Sequence, residues 1–124
     1  AMAAGIGTLD IISKKTYFSS LSKLSRYFTN SINLISDSHR VNMSADSEGG
    51  MFGIYFSKDK PSNYKDITKK SISIFQKFFS QMLTRGVYFA PSAFEAGFIS
   101  SAHKMNDINK TLNIIEDWVK KDKF

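Results

Sequence analysis

The sequence predicts an α+β fold, in which a small antiparallel sheet of three to four strands is covered by helices. Two observations lead to this expectation. Apolar residues recur at steps of three and four in three long segments, which is the spacing of amphipathic helices. Two short stretches with strand patterns follow the first of these segments, and residues 47–50 (SEGG) between them predict a turn. In 124 residues with 42% hydrophobic and 14% aromatic content, the pattern predicts one folded domain and not a disordered chain.

The opening residues predict a short helix over about 1–13, with Leu9 and Ile12 on one side. No capping residue precedes this helix, which is typical of a helix that has been cut from a longer one. The alternative is that Met2 is the initiator residue and Ala1 was added before it. The same residues lack the basic stretch and the long apolar core of a secretory signal, so we expect none here.

A second helix is predicted over residues 16–36, with Thr16 as its start signal and residues 37–39 (DSH) at its end. Its other face carries Ser, Asn and Lys, so one side of this helix should be buried and the other should face water. The apolar stripe consists of Leu21, Leu24, Phe28, Ile32 and Ile35.

The first strand is predicted near residues 41–45, where Val41, Met43 and Ala45 alternate with polar residues. The second is predicted near residues 51–57, because this nearly continuous apolar run is short and rich in aromatic side chains. Together they predict an antiparallel hairpin with a long turn.

After a loop at residues 57–66, a third helix is predicted over 68–84, with Gly86 as its stop signal. The spacing of its apolar residues again indicates one buried face, so this helix should cover the sheet. That face contains Ile72, Phe75, Phe78, Phe79, Met82 and Leu83.

The remaining part of the chain predicts a short strand near residues 87–90, a further candidate strand at 97–99 and a final helix over 106–120. Asn106 is the predicted N-cap of this helix, and Asp107 lies near the positive end of its dipole. The inward stripe of the final helix consists of Ile108, Leu112, Ile115 and Val119.

The chain is basic, with 17 Lys and Arg against 11 Asp and Glu and a formal net charge of +6. A basic domain can bind nucleic acid or an anionic membrane, but the lysines here are dispersed, which favours a solvated surface and neither partner. The alternative is a free-standing binding module for RNA or an acidic partner. In that module Tyr17, Tyr27 and Phe28 would form a stacking surface near Lys23 and Arg26. We expect these aromatic side chains to pack between helices instead.

Residue content excludes several classes of site. The absence of Cys excludes disulfides, Cys-ligated zinc and thiol nucleophiles. The two histidines are too few for a cage of His ligands, so we expect no metal site. No apolar run approaches 18 residues, so we expect no membrane span.

The residues with the clearest chemical signal lie at 89–98, where Glu95 is a single carboxylate among apolar and small residues. A buried carboxylate without a partner is costly, so Glu95 is paired, solvated at a cleft, or functional. His103 follows closely, and we expect it to be a hydrogen-bonded structural imidazole. Ser92 has neither a neighbouring base nor an oxyanion hole, so it is no nucleophile.

Three segments resemble the C-terminal portion of the glutamate-1-semialdehyde 2,1-aminomutases, a family of class III aminotransferases. These are residues 50–53 (GMFG), 83–98 (LTRGVYFAPSAFEAGF) and 101–103 (SAH). Residues 1–5 (AMAAG) and 107–111 (DINKT) fit the same pattern, so the resemblance spans nearly the whole sequence. The PSxFEAGF string is specific, because related class III aminotransferases differ there.

One departure from the family is Gly49-Gly50, where the family often has Gly followed by Ser. The resemblance implies an enzyme of the aspartate aminotransferase fold type that depends on pyridoxal 5'-phosphate (PLP). This family converts glutamate-1-semialdehyde to 5-aminolevulinate for tetrapyrrole (porphyrin) synthesis. It further implies a homodimer in the cytoplasm or the plastid stroma. The Schiff-base Lys and the Asp on the pyridine nitrogen would precede this piece, so we expect the chain alone to be inactive and to bind no cofactor.

The resemblance also implies a division of the chain and the roles of three residues. Residues 1–15 would be the tail of a helix that connects from a large domain, and residues 16–124 would be the small C-terminal domain. Glu95 would contact an amino group of the substrate, while Ser92 and Phe94 would shape the wall of the pocket. Without the large domain, apolar side chains within the first 12 residues would be exposed, so we expect self-association there.

Overall fold

The computed structural model describes residues 1–122 and 124, and over these residues it contains four α-helices and a three-stranded antiparallel sheet. The strand order is β1-β2-β3, and helices pack against the sheet. The predicted α+β class with a small antiparallel sheet is therefore confirmed. The elements are α1 Met2–Ile12, α2 Lys15–His39, β1 Ser44–Glu48, β2 Met51–Tyr55, a 3-10 helix Tyr64–Asp66, α3 Lys69–Thr84, β3 Gly97–Phe98 and α4 Met105–Lys121.

The predicted hairpin is present, but its turn is tight instead of long. Glu48 pairs with Met51, so only Gly49 and Gly50 connect the two strands. Gly49 has φ +57°, in the left-handed region that glycine adopts without steric cost. The Gly-Gly pair thus sets the register of β1 on β2.

The first strand begins at Ser44, three residues later than predicted, because the preceding backbone bonds to the end of α2. Ser36 Oγ donates to the Val41 carbonyl at 2.7 Å and accepts from the Met43 amide at 3.3 Å. The Val41 amide also donates to the Ser36 carbonyl. Val41 and Met43 still face inward as the alternation predicted, but they do so without pairing to β2.

The prediction of a strand near residues 87–90 was wrong, because these residues form no strand. The Val87 amide donates to the Met82 carbonyl at 2.9 Å, so it ends α3 instead of joining a sheet. Phe89 faces inward and stacks on Phe78, with ring centroids 5.4 Å apart. The third strand of the sheet is the later candidate, Gly97–Phe98, which pairs with the start of β2.

Two helix starts also differ from the predictions. Helix α2 begins at Lys15, with Lys14 and not Thr16 at its boundary. Helix α4 begins at Met105, one residue before the predicted cap Asn106. Its first turn is held by Asp107, whose Oδ2 accepts from the Lys104 amide at 2.9 Å. The Asp107 carboxylate is therefore at the positive end of the helix as predicted, but Asn106 is not the N-cap.

The core lies between the sheet and helices α2, α3 and α4. Phe78 and Trp118 are at its centre, with ring centroids 5.3 Å apart in an edge-on arrangement. Most of the predicted stripes are buried, whereas Leu83 is exposed. The stripe residues below one tenth exposure are Phe28, Ile32, Phe75, Phe78, Met82, Ile108, Leu112, Ile115 and Val119.

Helix α1 differs from the others because its side chains are exposed or at most half-buried. Met2 is 85% exposed, and Ile6 and Leu9 are each 61% exposed. Among residues 1–122 and 124, no helix combines the length and the apolar character needed to cross a membrane.

The third strand depends on a close approach between Gly97 and the ring of Phe52. A Cβ atom at Gly97 would lie 2.2 Å from Phe52 Cζ, and the Phe52 ring is buried between Phe28 and Phe89. Gly97→Ala should therefore lower the free energy of unfolding by about 1–3 kcal/mol, the usual cost of overpacking a core. Denaturant unfolding measures this change.

The matched control is Gly7→Ala in α1, where an added Cβ would meet open space among the described residues. Because Ala is the better helix former, this variant should be as stable as the wild type or slightly more stable. A Gly97→Ala protein as stable as Gly7→Ala would contradict the packing described for β3.

Candidate functional site

A cleft of about 600 Å³ opens between the β1–β2 hairpin, the loop that precedes α3, and the turn before β3. The hairpin contributes Asp46, Glu48 and Tyr55 to its lining, and the loop contributes Tyr64. The turn contributes Glu95. Three segments that are far apart in sequence thus meet around one cleft.

Glu95 lies on the rim of this cleft and is exposed to water. Its amide donates to the Ser92 carbonyl at 3.1 Å, which closes the turn that carries it. Of the three environments that the sequence allowed for Glu95, the structure shows a solvated position at a cleft. In the described part of the chain, its carboxylate forms no ion pair.

The three predicted site residues share one turn, but only two of them line the cleft. Phe94 and Glu95 both line the cleft. Ser92 lies outside the lining, and its Oγ accepts from the Phe94 amide at 3.2 Å. Ser92 therefore shapes the turn that carries Phe94, whereas Phe94 itself forms the wall.

Tyr64 also lines the cleft, although the sequence did not predict it as a site residue. Its ring stacks on Phe94 with centroids 4.8 Å apart and planes at 18°. Asn63 and Asp66 fold the segment around Tyr64 into a short capped turn. The Asn-x-x-Asp spacing was a sequence signal for that turn, since a cap residue followed three positions later by an acid marks a helix start.

The cleft is lined by acidic and neutral groups. Asp46 forms an ion pair with Lys60, with 3.0 Å between Oδ2 and Nζ, and this contact holds the pKa of Asp46 below its ordinary value. Glu48 and Glu95 add two further carboxylates. Over the residues that the structure describes, the lining contains no Lys, Arg or His. Such a cleft favours a cationic group over an anionic one.

The two histidines lie apart from this cleft. His103 Nδ1 accepts from the Ser100 amide at 2.9 Å, as expected of a structural imidazole. His39 Nε2 lies 3.1 Å from Glu116 Oε1, and this hydrogen bond, together with Lys120, keeps the pKa of Glu116 low. Nowhere in the described chain do three His, Asp or Glu side chains come together as a metal ion would require.

The aromatic surface of the alternative binding module is not formed. Phe28 is only 2% exposed and belongs to the core. The Tyr27 hydroxyl donates to Asn109 Oδ1 at 2.9 Å, and Tyr17 packs edge-on against Phe18. Phe28 and Tyr27 thus pack or bond between elements as expected, whereas the ring contact of Tyr17 is with its neighbour on the same helix.

Comparison with known sequences gives extensive matches to proteins named glutamate-1-semialdehyde 2,1-aminomutase. The protein from Neisseria gonorrhoeae is 42% identical over 114 residues, which is 92% of this chain and 26% of that protein. Over almost its whole length, this chain matches part of that aminomutase. The proteins from Nitrosomonas europaea and Polynucleobacter necessarius match at 42% and 40% identity, over 94% and 98% of the chain.

The chain spans about a quarter of the length of the curated relatives it matches, 26–28% in these three cases. The resemblance to the aminomutases found in the sequence is thereby confirmed. No protein-family model matches the chain.

Solved structures of two aminotransferases and of a further PLP-bound protein contain the same fold. A β-phenylalanine aminotransferase from Variovorax paradoxus superimposes with a TM-score of 0.74 at 16% identity, over 82% of this chain and 23% of that one. The FumI protein of a Sphingopyxis species, solved in its PLP internal aldimine form, superimposes with a TM-score of 0.74 at 24% identity. The match covers 97% of this chain and 26% of that one. An omega-transaminase from Sphaerobacter thermophilus superimposes with a TM-score of 0.73 at 12% identity, over 83% of this chain and 24% of that one. At these identities the likeness shows the fold alone.

Proposed function

We propose that this chain is part of a PLP-dependent aminomutase that converts glutamate-1-semialdehyde to 5-aminolevulinate in tetrapyrrole (porphyrin) synthesis. The observation that carries the proposal is the 40–42% identity to proteins named for this activity, over 92–98% of the chain. The reaction is an isomerisation, because the amino group moves within one substrate. The complete enzyme would be a homodimer in the cytoplasm or the plastid stroma.

Within that enzyme, residues 1–15 would be the tail of a connecting helix and residues 16–124 the small C-terminal domain. The contrast between the helices supports this division, since α1 exposes its apolar side chains whereas α2 contributes Phe28 and Ile32 to the core. An exposed apolar helix needs a partner, and the large domain would provide one.

The residues of this chain do not fit a complete PLP site. PLP supplies an electron sink when bound, and an enzyme must hold it through a Schiff-base lysine, a partner for the ring nitrogen and a cradle for the phosphate. In the described chain, no basic residue lines the cleft, and its carboxylates would repel a phosphate. We therefore assign the cofactor-holding residues to other parts of the complete enzyme and expect this chain alone to be inactive.

The contribution of this chain would be recognition of an amino group. Glu95 lies on the rim with its carboxylate free of ion pairs in the described structure, so it can accept a charge-assisted hydrogen bond from an ammonium group. Glu48 adds a second carboxylate to the lining, and Phe94 forms an apolar wall. The same carboxylates would repel the carboxylate end of a substrate that entered in the wrong orientation.

In the complete enzyme, Glu95→Gln should fold normally, because the side chain is exposed, and should impair turnover or substrate discrimination. Losing a hydrogen bond between charged groups costs about 1.5–3 kcal/mol, or roughly a tenfold to hundredfold loss in kcat/KM. Cofactor absorbance should change less than turnover. Asp59→Asn, an exposed carboxylate outside the cleft, is the control and should behave as the wild type. Unchanged turnover and specificity in Glu95→Gln would refute the role.

The chain by itself should neither form a Schiff base with PLP nor catalyse the reaction. Titration with PLP should give no saturable absorbance band from a Schiff base at one specific lysine, and no 5-aminolevulinate should form. The reason is that no lysine of residues 1–122 lines the cleft, and pre-orientation of an amine is worth about 7–11 kcal/mol in favourable cases. A complete aminomutase is the positive control. A stoichiometric band that maps to one lysine would contradict this expectation.

Helix α1 should mediate self-association of the isolated chain. Because Met2, Ile6 and Leu9 are exposed, the isolated chain should self-associate through this helix, as sedimentation at increasing concentration would show. Leu9→Lys should shift the protein toward monomer. Leu34→Lys on α2, at a leucine exposed to a similar degree, should not. A monomer at all concentrations, with α1 disordered in solution, would argue against this interface.

A further inference from the structure

The stack between Tyr64 and Phe94 is not explained by core packing. Both rings face water, with Tyr64 74% and Phe94 45% exposed, and neither belongs to the hydrophobic core. Yet the rings lie nearly parallel, with centroids 4.8 Å apart. Two exposed aromatic rings in offset contact form a specific pair, and this pair joins two separate segments at the cleft.

Tyr64 stands on a segment that is held by its own hydrogen bonds. Asp66 Oδ2 accepts from the Ser62 amide at 2.8 Å, the Ser62 hydroxyl at 2.9 Å and the Asn63 amide at 3.2 Å. Asn63 Oδ1 accepts from the Lys65 amide at 2.9 Å. The bonds to the Asp66 carboxylate hold its pKa below the ordinary value and close the segment into a turn. Tyr64 is therefore carried on a hydrogen-bonded turn next to Phe94.

Phe94 stands on a segment with weaker support. Residues 92–95 form a turn without helix or strand structure. Within the described chain, the hydrogen bonds of this turn stay inside it, from the Phe94 amide to Ser92 Oγ and from the Glu95 amide to the Ser92 carbonyl. Ala93 packs against the core on one side, and the Phe94 ring is held on the other side by Tyr64.

We propose that Tyr64 is a positioning residue: by holding the ring of Phe94, it fixes the turn that directs the carboxylate of Glu95 at the cleft. The residue would thereby set the affinity of the cleft for a ligand with a primary amino group. This inference rests on the proposed contact between Glu95 and such a group. Fixing the turn limits the orientational freedom that Glu95 must lose when the ligand binds.

The first arm of the test measures the order of the turn in the 124-residue chain, without any ligand. NMR order parameters of the amides of residues 92–95 should fall from about 0.85 to below about 0.6 in Tyr64→Ala. Tyr64→Phe keeps the ring and should keep the order. Tyr88→Ala removes a tyrosine of similar exposure that lies outside the cleft and should also keep it. The melting temperature of each variant shows whether the fold is intact.

Phe94→Ala gives a second variant that removes the same stack from the other side. The order parameter of Glu95 should fall to the same extent as in Tyr64→Ala, and the double variant should fall no further, because both changes break one contact. An ordered turn in Tyr64→Ala, or equal loss of order in Tyr64→Phe and Tyr64→Ala, would overturn the positioning role.

The second arm uses the complete enzyme with glutamate-1-semialdehyde as the probe. Tyr64→Ala should raise KM by about tenfold, with cofactor absorbance unchanged, and Tyr64→Phe should restore the wild-type KM. If Glu95→Gln impairs turnover while the turn of Tyr64→Ala stays ordered, the proposed function stands and the role of Tyr64 is refuted. If the turn loses order but Glu95→Gln retains wild-type kinetics, the amino-group contact fails, and with it the functional part of this proposal.

Discussion

The third strand and the cleft both depend on the contact between the Phe52 ring and Gly97. The ring lies where any side chain at Gly97 would have to be, so only glycine allows β3 to reach β2. The same ring contacts Phe28 and Phe89 in the core. Because Glu95 precedes Gly97 by two residues, the strand pairing also brings Glu95 to the edge of the cleft. The glycine of the PSxFEAGF string thus joins the core to the candidate site.

The parts of the fold that could be predicted are those set by local periodicity. The stripes of α2, α3 and α4 follow from residue spacing within one element, and the strand patterns of two neighbouring segments predicted the hairpin, although its turn is tighter than expected. β3 has two residues, too few to show a period. Residues 87–90 have strand-like side chains, but the Val87 amide bonds to the Met82 carbonyl at the end of α3. The start of α4 was missed because Asp107, inside the first turn, holds the Lys104 amide in place of a cap at Asn106.

Of the candidate site, the sequence predicted only residues that lie close together in the chain. Glu95 stood out because it is a single carboxylate in an apolar segment, and Phe94 lies beside it in the chain. Glu48 lies 47 positions before Glu95, and Tyr64 lies 30 positions before Phe94, so residue spacing carried no sign of their proximity. They reach the cleft through the hairpin register and the capped turn around Asp66.

The central claim is that this cleft recognises an amino group through Glu95. The acidic lining and the turn that presents Glu95 both support it. A crystal structure of the complete enzyme with 5-aminolevulinate tests the claim most directly. The amino nitrogen of the ligand should lie about 2.7–2.9 Å from a carboxylate oxygen of Glu95, the distance of a charge-assisted hydrogen bond. A ligand whose amino group contacts other residues, with Glu95 facing water, would contradict it.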